Sequence, residues 1–208
     1  SSEVGKQIIR GAADSCTKLS LELGGNAPVL IFEDADFDQA IEGALITKFR
    51  NTGQSCVAAN RIYVQRTIYD RFLEAFTSRV KAMRIGNGME KGVEIGPLID
   101  TRGLDNALRF VAEAKSDGAR LLCGGERWGE TGSFLTPTVI ADIPPRSRCL
   151  REEIFAPIAA ISPFDSEAEV IATANATEYG LAAYAFTRDL DRGLRLAEAL
   201  EAGTIGLN

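Results

Sequence analysis

The chain contains no histidine. That absence excludes Ser-His-Asp and Cys-His nucleophile pairs within these 208 residues, so any general base must be Glu, Asp, Lys or Tyr. Cysteine is sparse as well: Cys16, Cys56, Cys123 and Cys149 stand apart, with no Cys-x-x-Cys spacing. Zinc and disulfide frameworks are therefore poor readings, and a reducing compartment, the cytoplasm, is the expected location. The sequence also lacks a Lys/Arg-rich run and any basic stripe with interleaved aromatics, and its formal net charge is −6. A nucleic-acid partner is not expected of such a surface. No apolar run is long enough to span a bilayer. The opening SSEVGKQIIRGAAD has amphipathic helix spacing, not the charged start and apolar block of a signal peptide.

What is present is ordinary globular composition, 45% hydrophobic and 25% charged, with enough length for one or two cores. Ser2-Glu3 followed by Val4, Ile8, Ile9 and Ala12 reads as a capped helix with an apolar stripe. In KLSLELGG, Leu19, Leu21 and Leu23 alternate with Lys18, Ser20 and Glu22, which predicts a strand stopped by Gly24-Gly25. APVLIF reads as a strand buried on both faces, and DADFDQAIEGALITKFR as a helix with acidic residues at its positive end. NRIYVQ is a strand, and Ile68, Phe72, Phe76 and Val80 mark the next helix. A Gly-rich loop follows near 86–96, then a helix ending in a C-cap at Gly118. ARLLCGG, LTPTVIADI and PIAAISPF are extended; SEAEVIATANAT is helical, LAAYAFT a strand, DLDRGLRLAEALEAG a helix and TIGLN a strand. The alternation predicts an α/β fold, a three-layer α/β/α arrangement around a mostly parallel sheet. No boundary divides residues 1–208, which read as a single domain excised from a longer chain.

Two strand-end positions could carry chemistry. Glu22 sits one residue before Leu23-Gly24-Gly25, on the polar face, beside a turn where backbone can approach a ligand. Cys56 follows Asn-Thr-Gly-Gln-Ser at an expected loop-to-helix start, where a helix N-terminus lowers a thiol pKa and offers N–H groups to an anion. They lie 34 residues apart, one helix and one strand, so both can occupy the same edge of the sheet. Each also has a plain explanation. Cys56 can be a small buried hydrophobe, and Glu22 a solvent-facing strand residue. Cys16, Cys123 and Cys149 keep the plain one.

The motifs LELGGNAP, FRNTGQSCVAANRIYV, IGPLI, LTPTV and EEIFAPI, in that order, resemble the catalytic domain of the NAD(P)-dependent aldehyde dehydrogenases, over essentially the whole chain. Within that superfamily the sequence is most similar to succinate-semialdehyde dehydrogenases. The resemblance implies a nucleophile at Cys56 and a general base at Glu22. It implies a cofactor, NAD or NADP, contacted by Ser1 and Ser2 at the pyrophosphate, by the Leu23-Gly24 backbone at the nicotinamide, and by Glu153 and Phe155 at the nicotinamide ribose. Arg50 matches an arginine that binds the substrate's distal carboxylate in succinate-semialdehyde enzymes; a helix C-terminal cation favoured by the dipole explains the same residue. No metal is implied. The complete protein is expected to be a homodimer or homotetramer acting on a small aldehyde. Its N-terminal cofactor-binding half is expected to lie outside these residues, leaving the isolated chain inactive or nearly so. Ala156 stands where the family usually has Gly. Ala58 stands where many succinate-semialdehyde enzymes carry a second cysteine, so a disulfide switch there is not expected. Two alternatives stay open: an acylating or phosphorylating semialdehyde dehydrogenase, which Glu22 argues against, and a non-catalytic α/β binding domain with a structural Cys56.

Overall fold

The order of apolar residues dictates the layers. In the computed structural model, which describes residues 1–208, seven strands form one sheet: β1 (Ala27–Ile31), β2 (Ala59–Gln65), β3 (Arg120–Cys123), β4 (Thr138–Ala141), β5 (Ile158–Phe164), β6 (Ala182–Phe186) and β7 (Thr204–Leu207). Their spatial order is β3-β4-β5-β2-β1-β6-β7, and every neighbouring pair is parallel except the antiparallel β3-β4 at one edge. Six helices accompany it: α1 (Ser2–Ala12), α2 (Phe37–Phe49), α3 (Tyr69–Lys81), α4 (Thr101–Asp117), α5 (Glu167–Asn175) and α6 (Leu190–Ala199).

The central strands are apolar throughout because both their faces are covered, as parallel sheets require. Val29 and Ile31 of β1 with Ile62 and Val64 of β2 pack against Ala44 of α2 and Phe72 and Phe76 of α3. The alternate residues face the other way: Leu30 and Tyr63 meet Val170 of α5 and Leu196 of α6, while Ile158 and Ala160 meet Phe110 of α4. The three layers expected of the sequence are those observed. The helices begin where short polar side chains accept the free N–H groups: Asp36 takes Gln39 N–H, Asp100 takes Gly103 N–H and Ser166 takes Glu169 N–H. Helix α4 ends at Gly118 with φ of 103°, the left-handed cap expected there.

Two local expectations are corrected. KLSLELGG forms no strand. Leu19, Leu21 and Leu23 are half-buried and Ser20 and Glu22 exposed, so the alternation of faces is real, but the extended segment finds no ladder partner in this chain. Cys56 does not begin a helix. A 3-10 turn over Arg50–Gly53 precedes it and β2 starts at Ala59, so Cys56 sits in a turn entering a strand. A third difference concerns α1. It forms as expected, but Val4, Ile8 and Ile9 face solvent, and its one buried residue is Gly5, seated on Leu23.

The chain enters the parallel strands at a common edge. Gly24-Gly25 leads into β1, Cys56 into β2 and Glu153–Ala156 into β5. This edge is formed by the amino-terminal ends of the strands. Open α/β sheets more often build sites at the carboxyl ends.

Candidate active site

The turn carrying Cys56 is set by the exit from α2. Helix α2 stops at Phe49, and Asn51, Thr52 and Gly53 then adopt left-handed φ of 53°, 59° and 70°. Asn tolerates that region, but a β-branched Thr does not adopt it unaided. Buried Thr52 is held there by accepting Gly96 N–H at 3.0 Å, and Asn51 Nδ2 donates to the Gln54 carbonyl at 2.7 Å. Gly53 has no alternative: a Cβ there would lie 2.4 Å from the Ala156 carbonyl oxygen. Gln54 then reaches the IGPLI loop, donating to Pro97 O at 3.2 Å and accepting Ile99 N–H at 3.0 Å. Two motifs distant in sequence are thus one hydrogen-bonded unit.

The turn closes with Ala58 N–H donating to Ser55 O at 3.0 Å, and it presents Cys56 half-buried. The Cys56 backbone N–H donates to no protein acceptor. Its carbonyl lies against Gly25, where a Cβ would come within 1.8 Å of that oxygen. Gly25 therefore lies directly against the Cys56 turn, and Glu22, three residues earlier, is exposed. Gly25 N–H donates to Glu153 Oε1 at 3.0 Å. Glu153 Oε2 has no protein donor and lies 2.5 Å from where a Gly24 Cβ would be, so glycine is what admits the carboxylate.

Phe155 follows, 44% exposed, with φ of 47°. Ala156 itself has no positive φ, so alanine is unstrained there. Arg50 caps the C-terminus of α2 and is exposed. It also lines a cavity of ≈ 760 Å³ with Tyr184 and with Ser55 and Val57, the chain neighbours of Cys56. Its place at the end of α2 is the one the helix-dipole explanation describes. Ser1 caps α1, its Oγ accepting Val4 N–H at 3.5 Å, and Ser2 begins the helix. The fold thus gathers Cys56, Leu23, Gly24 and Glu153 around Gly25, with Glu22 and Arg50 on adjoining surface.

Three residues of this region escape a motif reading. Tyr184 of β6 donates its hydroxyl to the Val57 carbonyl at 2.8 Å; burial, then the neighbouring Cys56 thiol, push its pKa up. Lys48 in the last turn of α2 is wholly buried, and its amine donates to Asn60 Oδ1 at 3.3 Å. Burial pulls that amine down to about 7, opposed by Cys149 and Glu153. Asn60 in turn donates to Gly25 O at 3.2 Å. Arg61, by contrast, is structural: its guanidinium donates to the carbonyls of Asn26, Thr173 and Ala174 from a site 1% exposed.

A model of the Aldehyde dehydrogenase family matches residues 1–208. The chain belongs to the aldehyde dehydrogenase family. It is 49% identical to succinate-semialdehyde dehydrogenase [NADP(+)] GabD of Escherichia coli, over all 208 residues and 43% of that protein. It is 47% identical to a glutarate-semialdehyde dehydrogenase of Pseudomonas aeruginosa, again over the whole chain and 43% of the relative. The NAD+ complex structure of an aldehyde dehydrogenase from Bacillus cereus superposes with a TM-score of 0.96 at 39% identity, covering 100% of this chain and 42% of that one. The chain thus spans less than half the length of the relatives it matches. No helix of this aldehyde dehydrogenase segment is long and apolar enough to cross a membrane.

Proposed function

We propose that this chain carries the catalytic residues of an NAD(P)-dependent aldehyde dehydrogenase acting on an aldehyde with a distal anion, succinate semialdehyde first among them. The observation that carries the reading is the arrangement at one sheet edge: a half-buried Cys56 with a free backbone N–H, seated against Gly25 and flanked by Ser55 and Val57, which line the Arg50 cavity.

The residues present fit a dinucleotide. Glu153 has one carboxylate oxygen fixed by Gly25 N–H and the other without a protein donor, which suits a ribose hydroxyl. Exposed Phe155, two residues on in the chain, offers an aromatic face. When bound, the dinucleotide supplies the hydride acceptor.

The chain's own residues do the rest. The Cys56 thiolate adds to the aldehyde carbon, and the oxygen that gains negative charge falls to the Cys56 N–H. Oxidation leaves a thioester on Cys56. Glu22, exposed and without a protein hydrogen-bond donor, takes a proton from the water that hydrolyses it. Arg50 offers a fork of donors to a distal carboxylate, which selects semialdehydes bearing an anion over neutral aldehydes. The two semialdehydes in the names of the relatives both carry such a carboxylate, so Arg50 by itself does not choose between their chain lengths.

A rapid-mixing measurement on the complete enzyme separates the roles. Glu22→Gln should give a burst of reduced dinucleotide and then stall, because the thioester persists; Cys56→Ser should give no burst. Steady turnover of Glu22→Gln near the wild-type rate would remove Glu22 from hydrolysis.

A further inference from the structure

The hydrogen bonds behind the Cys56 turn form a directed chain. Lys48 Nζ donates to Asn60 Oδ1 at 3.3 Å, Asn60 Nδ2 donates to Gly25 O at 3.2 Å, and Gly25 N–H donates to Glu153 Oε1 at 3.0 Å. Three bonds across four segments run in one sense, from the Lys48 amine to the Glu153 carboxylate. The Gly25 carbonyl fixes the Asn60 amide: reversed, the Asn60 oxygen would face the Gly25 oxygen with no proton between them. Lys48, Asn60 and Gly25 are all buried, so the low local dielectric strengthens each bond, and Gly25 is held through both of its peptide groups, its C=O by Asn60 and its N–H by Glu153.

Lys48 is costly where it stands. It is 0% exposed and has one protein hydrogen-bond acceptor for its amine. The Cys149 thiol, beside it on the 3-10 turn Arg148–Leu150, and Glu153 on the loop before β5 are the titratable groups facing it. A methionine would fill the same space without desolvating a charge. Packing therefore gives no account of a lysine here. The far end of the chain does, because Glu153 must hold one oxygen fixed while leaving the other free.

We infer that Lys48 is a positioning residue, acting through Asn60 and Gly25 to fix the Glu153 carboxylate for the dinucleotide. The inference rests on the proposed role of Glu153 as a ribose acceptor and adds the buried group that aligns it. Lys48 touches neither substrate nor dinucleotide. Its loss should weaken dinucleotide binding more than it slows the step at Cys56.

The test is a double-mutant cycle on the complete enzyme, with the NADP+ dissociation constant measured by fluorescence titration and fold checked by thermal melting. Lys48→Met should raise that constant about tenfold, the middle of the range for coupled neighbours, with kcat at saturating dinucleotide changed less. Asn60→Asp keeps the volume and the acceptor for Lys48 but replaces the donor to Gly25 O. It should weaken binding similarly, which guards against a folding defect in the first variant. In a Glu153→Gln background, Lys48→Met should add less than twofold. If Lys48→Met and Asn60→Asp bind NADP+ as wild type does while Glu153→Gln binds weakly, or if the effects of Lys48→Met and Glu153→Gln multiply, the positioning role is wrong. If Glu153→Gln itself binds normally, the placement of the dinucleotide at Glu153 fails, and the inference falls with it.

Discussion

Gly25→Ala is the substitution whose effect the structure defines most sharply. A Cβ built on Gly25 lies 1.8 Å from the Cys56 carbonyl oxygen and 3.0 Å from its carbonyl carbon. Both atoms are backbone, so no side chain can rotate away. Cβ atoms do not approach other heavy atoms closer than 3.0 Å, so the Gly25 segment and the Cys56 turn must separate by about 1.2 Å at least. The Gly25 backbone has no positive φ, so alanine adds no dihedral strain, and the whole effect comes from this one contact. Overpacking of this kind costs about 1–3 kcal/mol of stability. Its effect on the reaction is larger, because a displacement of about 1 Å between reacting groups lowers a rate on the order of a hundredfold. Steady-state kinetics of the complete enzyme should therefore show kcat/KM down by about two orders of magnitude, with the protein still folded. Iodoacetamide labelling of Cys56 would show whether the turn has moved. A Gly25→Ala enzyme with wild-type kcat/KM and wild-type melting temperature would refute the claim that this contact sets the geometry between Cys56 and Glu22.

Other consequences are measurable in the same way. Arg50→Ala should raise KM for succinate semialdehyde by on the order of tenfold or more and leave an uncharged aldehyde unaffected; equal loss for both would remove the carboxylate role. Arg61→Leu leaves the carbonyls of Asn26, Thr173 and Ala174 without their donor, and urea denaturation should show a loss of about 3 kcal/mol or more. Lys48 should impose a pH dependence on stability. Its amine is lowered from 10.5 to about 7 in the folded protein, so between those values the unfolded chain binds the extra proton and stability rises with pH. Urea melts at pH 7 and pH 9 should show Lys48→Met removing part of that rise, and an unchanged slope would mean the amine is not buried as described.

Much of this fold was legible because its physics is local and periodic. The continuous run APVLIF became a strand covered on both faces, and Phe72, Phe76 and Val80 fell on one face of α3, all fully buried. The segment 18–25 shows the limit of that reasoning. A period of two says which side chains share a face, and here it did so correctly, but it does not supply the neighbouring backbone that makes a strand. Cys56 shows another limit. A small polar run before a cysteine suits a helix start and a strand entry equally, and the two left-handed residues at Asn51 and Thr52 that decide the matter contradict threonine's own preference. The motifs carrying Cys56 and Glu153 are brought together through Gly25, a contact that no spacing in the sequence displays. Lys48 was not legible either. Its spacing from Ala44 and Leu45 puts it on the buried face of α2, yet a single lysine in a helix normally lifts its amine into water. Only the position of Asn60, on another element, shows why this one does not.

The central claim is that Cys56 holds the acyl group and Glu22 releases it. Mixing the Glu22→Gln complete enzyme with succinate semialdehyde and NADP+, quenching in acid and mapping peptides by mass spectrometry tests it directly. One acyl group per chain on the peptide containing Cys56, removed by hydroxylamine, is the predicted result. Reduced dinucleotide formed in a burst with that peptide unmodified, or with the acyl group on another residue, would contradict it.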